Sequence, residues 1–205
     1  MDKNNIIVTV STAIIDDNIT KEQRIDEYKE CFEIIKSFGY EDFHIVETAL
    51  EHSEFLENQS KNVFYTNVNG KYNNRGTNYV NAFKKFLNES SFKDDDIIIH
   101  ITGRYPLTND SFFKNCLNLE SNKVGCFKKD AHNQFYLFLF GMRFKELKDL
   151  LNSINVDYME NNMINLELIF SQVIPHESVL LLDELGIMGR QSNEKNPNIY
   201  GKLKF

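Results

Sequence analysis

The stretch IIIHITGRYPL, residues 97–107, combines an apolar run with a polar ending. A run of β-branched residues that breaks off at Thr102, Gly103 and Arg104 is typical of a buried strand in a parallel sheet, where the carboxyl end delivers a loop to a ligand. Pro106 closes the polar cluster. The stretch therefore predicts an α/β sheet and marks the edge of that sheet where a binding site is expected.

The residues before this stretch alternate between strand-like and helix-like patterns. The apolar pattern predicts strands over 6–10, 43–47, 62–67 and 97–101, and helices over 20–39, 51–58 and 77–88. Thr20 and Gln23 have the spacing of a capping box, which fixes the start of the first helix. This alternation predicts a mostly parallel, doubly wound sheet with right-handed crossovers.

The second half of the chain has longer strand-like segments. Residues 123–127 and 134–143 read as an antiparallel pair joined by KKDAHN, and helices are expected over 111–119, 144–154 and 163–173. SVLLL at 178–182 suits a last strand or a helical turn, and the segment from 186 to 205 is loop-like. We predict a single domain over 1–205, with an antiparallel extension of the sheet and a C-terminal lid.

Composition excludes several classes of protein. With 205 residues, 26% charged and 41% hydrophobic, the chain has the profile of a globular domain. A net charge of -7 disfavours nucleic acid as a partner. The three cysteines form no CxxC pair, which predicts a reduced, cytoplasmic protein with cysteines in its core. No apolar stretch approaches the ~20 residues of a transmembrane helix.

The polar residues that follow the four predicted strands converge on one edge, because parallel strands deliver their carboxyl ends to the same side. Alone, each is an ordinary cap or turn residue. Together they predict a binding site at that edge. The candidates are Ser11, Thr12, Glu47, Asn74, Arg75, Gly76, Thr102, Gly103, Arg104 and Tyr105.

Arg104 and the start of the third helix are the features best suited to an anion. A guanidinium offers two parallel donors to a phosphate or carboxylate. Residues 74–76 precede the predicted helix, where free backbone N–H groups can meet an anion. The alternative for Arg104 is a salt bridge to Glu47, and both interpretations can hold together.

Other catalytic motifs are absent from the sequence. There is no GxGxxG, Walker loop, GxSxG, HExxH or paired CxxC. The histidines show no ligand spacing, and His44 and His100 read as core residues. The acidic run at 94–96 lies at the opposite edge of the sheet and reads as a solvated turn.

Several segments resemble one family. They are similar to segments of small GT-A-like glycosyltransferases of the nucleotide-diphospho-sugar transferase type. The segments are IIVTVST, QRIDEY, IVE, NRG, HITGRY, LFGMRFKELKDLL, INLELIF and LLDELGIMG. Such enzymes occur in bacterial surface-polysaccharide clusters and in large DNA viruses and carry a KxTGRY-like motif. His100 and Arg75 stand where that pattern more often has Lys.

The resemblance implies a sugar transferred from a nucleotide-diphosphate donor to a glycan or other hydroxyl acceptor. It implies that residues 1–107 bind the donor, with Arg24 of QRIDEY among the binding residues, and that 108–205 form the acceptor side. The family often holds Mn²⁺ or Mg²⁺ on an acidic DxD where TGRY stands here. We therefore expect either a metal held elsewhere, by Glu47 or by acidic residues of the second half, or Arg104 in its place, and we favour Arg104.

An inverting transfer needs a base near the acceptor. Glu167 and the pair His176 and Glu177 are candidates, although Glu167 also suits the solvated face of a helix. Asp16 and Asp17 are alternatives for holding the base or ribose. Two other classes stay open: a sugar-phosphate nucleotidyltransferase, and a non-catalytic structural or assembly protein.

Overall fold

The structure is a computed structural model that describes residues 4–14, 20–68, 70–189 and 203–204. Its strands are β1 (Ile6–Thr12), β2 (His44–Glu47), β3 (Asn62–Tyr65), β4 (Ile97–Thr102), β5 (Gly125–Phe127), β6 (Leu139–Arg143), β7 (Val179–Leu181), β8 (Met188–Gly189) and β9 (Leu203–Lys204). Its helices are α1 (Lys21–Ser37), α2 (Glu54–Glu57), α3 (Arg75–Glu89), α4 (Ser111–Leu117), α5 (Phe144–Ser153), α6 (Val156–Asn161) and α7 (Leu166–Val173), and a 3-10 turn spans His176–Ser178.

One seven-stranded sheet organises the chain, with the strand order β3-β2-β1-β4-β6-β5-β7. The four strands of the first half pair in parallel. Strand β6 pairs antiparallel with both β4 and β5, and β7 returns parallel to β5. The predicted parallel sheet with an antiparallel extension is confirmed. The C-terminal strands β8 and β9 form a separate antiparallel pair.

Local sequence explains most element boundaries. Thr20 and Gln23 form the predicted capping box at the start of α1. Helix α3 begins earlier than predicted, because Asn74 is its N-cap and Arg75 is already helical. The prediction of a strand over 134–138 is wrong: these residues precede β6, and Phe135 among them forms an isolated bridge with Lys129. Helix α6 is an additional element, since its six residues are too few for a clear period.

Both faces of the sheet are covered by apolar side chains. On β4, Ile97, Ile99 and Ile101 face one core, which α1 and α4 complete, while Ile98 faces the other, which α3, α5 and α7 complete. Burial on both faces explains why the strand reads as a continuous apolar run. Cys31, Cys116 and Cys126 are free and buried, as predicted for core cysteines.

The layered arrangement brings the carboxyl ends of β1 and β4 side by side, with Ser11 paired to Thr102. Thr12 is likewise paired to Glu47 at the end of β2. This is the edge at which the sequence predicts a binding site. Within the described part of the chain, no helix is both long and apolar enough to cross a membrane.

Candidate functional site

A cleft with two lobes opens at this edge. The first lobe, about 440 Å³, lies between the ends of β1 and β4, helix α1 and the loop that leads into α3. The second lobe, about 840 Å³, lies between that loop, residues 130–138 and residues 163–167. All residues that line the first lobe come from the first 104 positions, whereas the second lobe also draws on the second half of the chain.

The two lobes have a wall in common. Five residues line both lobes, and we call them the shared wall: Asn73, Arg75, Tyr79, Thr102 and Arg104. Two of them are arginines, so the junction of the lobes carries local positive charge although the chain is acidic overall. A ligand that spans both lobes would pass these two cations.

Arg104 is half-buried on the shared wall, and its guanidinium carbon lies 5.0 Å from the centre of the Tyr105 ring. Its Nε is buried without a hydrogen-bond partner among the described residues. The alternative of an ion pair with Glu47 is wrong, because the Glu47 carboxylate is held by other groups. Arg104 thus makes a cation–π contact with Tyr105 and retains its Nε donor for a ligand.

Glu47 is fully buried and supports the loops instead of lining the cleft. Its carboxylate accepts a hydrogen bond of 2.7 Å from the Thr12 hydroxyl and three more from the backbone N–H groups of Ile14, Ala49 and Leu50. Burial raises the pKa of Glu47, and the four hydrogen bonds oppose that rise. The predicted contact of Glu47 with a ligand or metal is therefore corrected to a structural role, because its oxygens are already committed.

His100 lies in the floor beneath Ser11 and is a core residue, as predicted. Its ring packs against Tyr79, Phe83 and Phe140, and burial lowers its pKa to about 3. The imidazole is therefore neutral at pH 7 and is no cation for a phosphate. Its Nε2 lies 3.4 Å from the hydroxyl of Ser11, which lines the first lobe.

The start of α3 differs from the predicted anion site. Asn74 caps the helix by accepting from the N–H of Gly76 at 2.8 Å, and its amide donates to the carbonyl of Ile164 at 2.8 Å. The N–H groups of Asn73 and Asn74 donate to the carboxylate of Glu160. The N–H groups of Asn74 and Gly76 are therefore occupied by the protein itself. The prediction that residues 74–76 offer free N–H groups to an anion is wrong at these two positions. Asn74 and Gly76 still line the second lobe, and the exposed Arg75 side chain lines both.

Helix α1 contributes Arg24 and Tyr28 to the first lobe. Arg24 pairs with Glu27 at 3.0 Å and lies 5.8 Å from the centre of the Tyr28 ring. The Tyr28 hydroxyl accepts from the N–H of Ala13 and donates to its carbonyl, which ties α1 to the residues after β1. Arg24, which the family resemblance implies as a binding residue, thus lies in the first lobe, and its role stays a prediction.

Glu167 and Asp130 are acidic groups of the second lobe. Burial raises the pKa of Glu167, and the neighbouring charge of Asp130 raises it further. Asp130 itself accepts from the N–H groups of His132 and Gln134, so it also shapes its loop. A partly buried carboxyl with a raised pKa in a cleft has the properties of a general acid or base.

Tyr105 lies against the second lobe, where its ring stacks on Phe138 at 4.8 Å. Gly103 is buried and does not line either lobe; an added Cβ would lie 2.8 Å from the Tyr28 ring and 3.0 Å from Val10. The prediction of ligand contact for Gly103 is corrected to close packing, because a larger residue would not fit there.

His176 is exposed on the 3-10 turn and does not line either lobe. Its Nδ1 lies 2.8 Å from the Lys129 ammonium, and its ring lies 5.6 Å from that of Phe135. The structure therefore does not bring this candidate base to the cleft, nor does it bring Glu177. Asp16, Asp17 and most of the predicted lid lie outside the described residues.

Sequence reasoning missed several residues of the cleft, above all Tyr79, Tyr28, Asn73 and Asp130. Tyr28 and Tyr79 look like ordinary aromatic residues on the buried faces of helices, and Asp130 looks like a turn residue. The only signal was position: Asn73 and Asp130 lie in polar loops that follow or join strands.

The shared wall does not offer the ligands of a divalent metal. Mn²⁺ and Mg²⁺ prefer several oxygen ligands, carboxylates above all. The shared wall presents two guanidinium groups and no carboxylate, and the described residues contain no cluster of three or more His, Cys, Asp or Glu side chains that could hold a metal ion. We derive no catalytic step through a metal.

Comparisons with known proteins support the fold. No family model and no curated protein matches the sequence. Among solved structures, a galactosyltransferase, LgtC, in complex with donor and acceptor sugar analogues has a TM-score of 0.55 at 9% identity, over 85% of this chain and 72% of that chain. The glycosyltransferase GlyE of Streptococcus pneumoniae TIGR4 has a TM-score of 0.56 at 7% identity, over 87% and 46% of the two chains.

A CMP:2-keto-3-deoxy-manno-octonic acid synthetase in complex with CTP is equally similar, with a TM-score of 0.56 at 7% identity over 87% and 89% of the two chains. Identities this low show the fold alone. The predicted GT-A-like α/β fold is confirmed. Its structural neighbours are enzymes that include both glycosyltransferases and cytidylyltransferases.

Proposed function

We propose that the protein is a glycosyltransferase that takes a sugar from a nucleotide-diphosphate donor. The observation that carries this proposal is the shared wall, where Arg75 and Arg104 stand between a smaller and a larger lobe. A nucleotide sugar has its diphosphate between its nucleoside and its sugar. The nucleoside fits the first lobe, and the second lobe has the larger volume that a sugar and an acceptor require.

Each half of the chain then has a role. Residues 1–107 bind the donor, with Ser11, Thr12 and Arg24 around the nucleoside and Thr102 and Arg104 at the diphosphate. Residues 108–205 add the acceptor side of the second lobe, with a glycan or another hydroxyl compound as acceptor. A cytoplasmic location and a lid at the C-terminus stay predictions.

In this proposal Arg104 stabilises the diphosphate as it leaves. Charge on the leaving oxygens grows in the transition state, and a fixed guanidinium in a partly buried site stabilises that charge without reorganisation. Arg104 is suited to this because it is half-buried and its guanidinium lies against the ring of Tyr105. If activity vanished with EDTA and returned with Mn²⁺, the choice of Arg104 over a metal would be contradicted.

Glu167 is the candidate base for an inverting transfer. In such a reaction the acceptor oxygen attacks the anomeric carbon while its proton passes to Glu167, and the bond to the diphosphate breaks. Among the candidates named from the sequence, Glu167 is the one that lines the second lobe, whereas His176 lies outside it.

A second candidate is a sugar-phosphate nucleotidyltransferase, which the similarity to the CTP-bound synthetase favours. Enzymes of that class are expected to have a glycine-rich, basic loop directly after the first strand. The corresponding sequence here, STAIIDDN, contains neither glycine nor a cation. We therefore rank sugar transfer first.

A thermal-shift panel separates the candidates. We expect UDP- or GDP-sugars, or another nucleotide-diphosphate sugar, to raise the unfolding temperature, because binding to the folded state stabilises it. A response to nucleoside triphosphates alone would favour the nucleotidyltransferase. No response to either group would favour the non-catalytic alternative. Detection of free nucleoside diphosphate after incubation with the binding donor would then test transfer or hydrolysis.

A further inference from the structure

Tyr79 has an unexplained hydroxyl in the shared wall. Its ring stacks on Phe83 at 4.5 Å and meets His100 edge-on at 5.1 Å. The hydroxyl oxygen is buried, and no described residue hydrogen bonds to it. Buried tyrosine hydroxyls usually find a partner, since an unsatisfied polar group costs free energy. The protein thus holds a polar group beneath its cleft without using it in the fold.

The surroundings of Tyr79 indicate what kind of partner is missing. Arg104 Nε, on the same wall, is also buried and unpartnered, and the Arg75 side chain lines the same junction. Burial, and then the nearby charge of Glu167, raise the pKa of Tyr79 well above its ordinary value, so the phenol keeps its proton at neutral pH. A wall with a neutral donor and two guanidinium groups suits an anionic oxygen.

We infer that the Tyr79 hydroxyl donates a hydrogen bond to a phosphate oxygen of the nucleotide, an inference that rests on the proposed placement of the diphosphate at the shared wall. In the free protein this donor is covered and unpartnered. A neighbouring side chain of the wall moves aside as the ligand enters, and the hydroxyl then gains its partner. Tyr79 is on this view a binding residue that stabilises the loaded protein and does nothing for the empty one.

Tyr79→Phe removes the hydroxyl and leaves the ring. We expect the empty variant to unfold at the wild-type temperature or above it, because the lost group had no partner. Affinity for the nucleoside diphosphate that binds the wild type best, among UDP, GDP, CDP and ADP, should fall about tenfold, the cost of a hydrogen bond to a charged group. Affinity for the corresponding nucleoside, which lacks phosphate, should not change.

Tyr65→Phe is the matched control. The Tyr65 hydroxyl lies outside both lobes and has partners, accepting from the N–H of Ser53 at 2.9 Å and donating to Glu57 at 3.0 Å. This variant should show the opposite pattern, with a lower unfolding temperature and unchanged affinity for the nucleoside diphosphate. Calorimetric titration of the wild type and both variants with the nucleoside diphosphate and the nucleoside, and thermal unfolding of the three empty proteins, give both readouts.

Three results would overturn the inference while the proposed function stands: unchanged affinity of Tyr79→Phe for the diphosphate, equal weakening for the nucleoside, or a clear loss of stability in the empty variant. A wild-type protein that binds neither nucleoside diphosphates nor their sugars would instead reject the proposed function, and the inference with it.

Discussion

At the scale of single residues, Arg104 is the side chain on which we expect activity to depend most. We predict that Arg104→Ala lowers kcat/KM for the nucleotide sugar about 100-fold or more, as is usual when a donor to a developing negative charge is removed. Its unfolding temperature should stay near that of the wild type, because the Arg104 Nε makes no hydrogen bond within the described structure.

Arg104→Lys separates the effect of the positive charge from that of the guanidinium geometry. Lysine keeps the positive charge but cannot offer two parallel donors. Its activity should lie between those of the wild type and Arg104→Ala. A wild-type rate in a folded Arg104→Ala variant, measured in the same assay, would show that the leaving diphosphate is stabilised elsewhere.

Glu167 gives a prediction about pH. Its pKa is raised by burial and by Asp130. A base must be deprotonated, so the rate should fall as the pH drops through this raised pKa, at a higher pH than for an ordinary Glu. Asp130→Asn removes the neighbouring charge while keeping an oxygen for its loop contacts, and it should shift the acid limb of the pH–rate profile to lower pH.

Two controls apply to this pH–rate profile. One is the Glu167→Gln variant, and the other is the wild type at high pH, where the Glu167 carboxyl is deprotonated. Glu167→Gln should lose most activity at every pH, since the amide cannot accept the proton. If Asp130→Asn left the acid limb unmoved, the limb would belong to another group.

At the scale of elements, Glu47 joins the ends of β1 and β2. Glu47→Ala would leave the Thr12 hydroxyl and three buried or half-buried backbone N–H groups without their acceptor. Since each unsatisfied group costs ~1–3 kcal/mol, we expect the free energy of unfolding to fall by about 3 kcal/mol or more. Denaturant unfolding measures this change.

Glu47→Gln is the informative comparison. Its carbonyl oxygen can still accept from the three N–H groups, and its amide can donate to the Thr12 hydroxyl, which is able to act as an acceptor. The glutamine variant should therefore lose much less stability than the alanine variant. Equal losses would mean that the negative charge of Glu47, and not its hydrogen bonds, holds these loops.

Glu47 also shows how far the sequence could predict the site. A carboxylate at the end of a buried strand must have a partner, and the sequence shows that much. It does not show whether that partner is a ligand or the backbone of the neighbouring loops, because three of the four donors are main-chain groups with no residue signature. The start of α3 has the same ambiguity: NRG marks a helix start, but the Glu160 that occupies its donors lies far along the chain.

At the scale of the whole molecule, the period of the apolar residues is enough to predict the sheet and its parallel half. The strands of the first half follow one another with helices between them, so the alternation in sequence predicts the alternation in space. The position of β6 between β4 and β5 could not be predicted from the local sequence pattern, because it depends on which unpaired strand edge of the sheet each later strand joins. The two-lobed cleft depends on that insertion as well, because residues 130–138 reach it only through this arrangement.

The division of the cleft into two lobes predicts which segments each ligand protects from hydrogen exchange. A nucleoside diphosphate should slow exchange in residues 11–14, 70–75 and 102–104, which surround the first lobe and the shared wall. A nucleotide sugar should extend the protection to 130–138 and 163–167. Helix α5, which lines neither lobe, serves as the internal control.

The opposite order would contradict the assignment of the lobes. If the diphosphate protected 130–138 while leaving 11–14 unchanged, the nucleotide would occupy the larger lobe. Mass spectrometry of peptides from both regions in one experiment distinguishes these outcomes.

The position of β6 has a consequence for how the chain is made in the cell. When a ribosome has released residues up to 138, strands β1 to β4 are all available, but the side of β4 that pairs with Leu139–Arg143 still has no neighbour. The nascent protein therefore passes through a stage in which an isoleucine-rich strand has an open edge, the kind of edge that captures other chains. The need for chaperone protection should be concentrated in the interval of synthesis between residues 102 and 143.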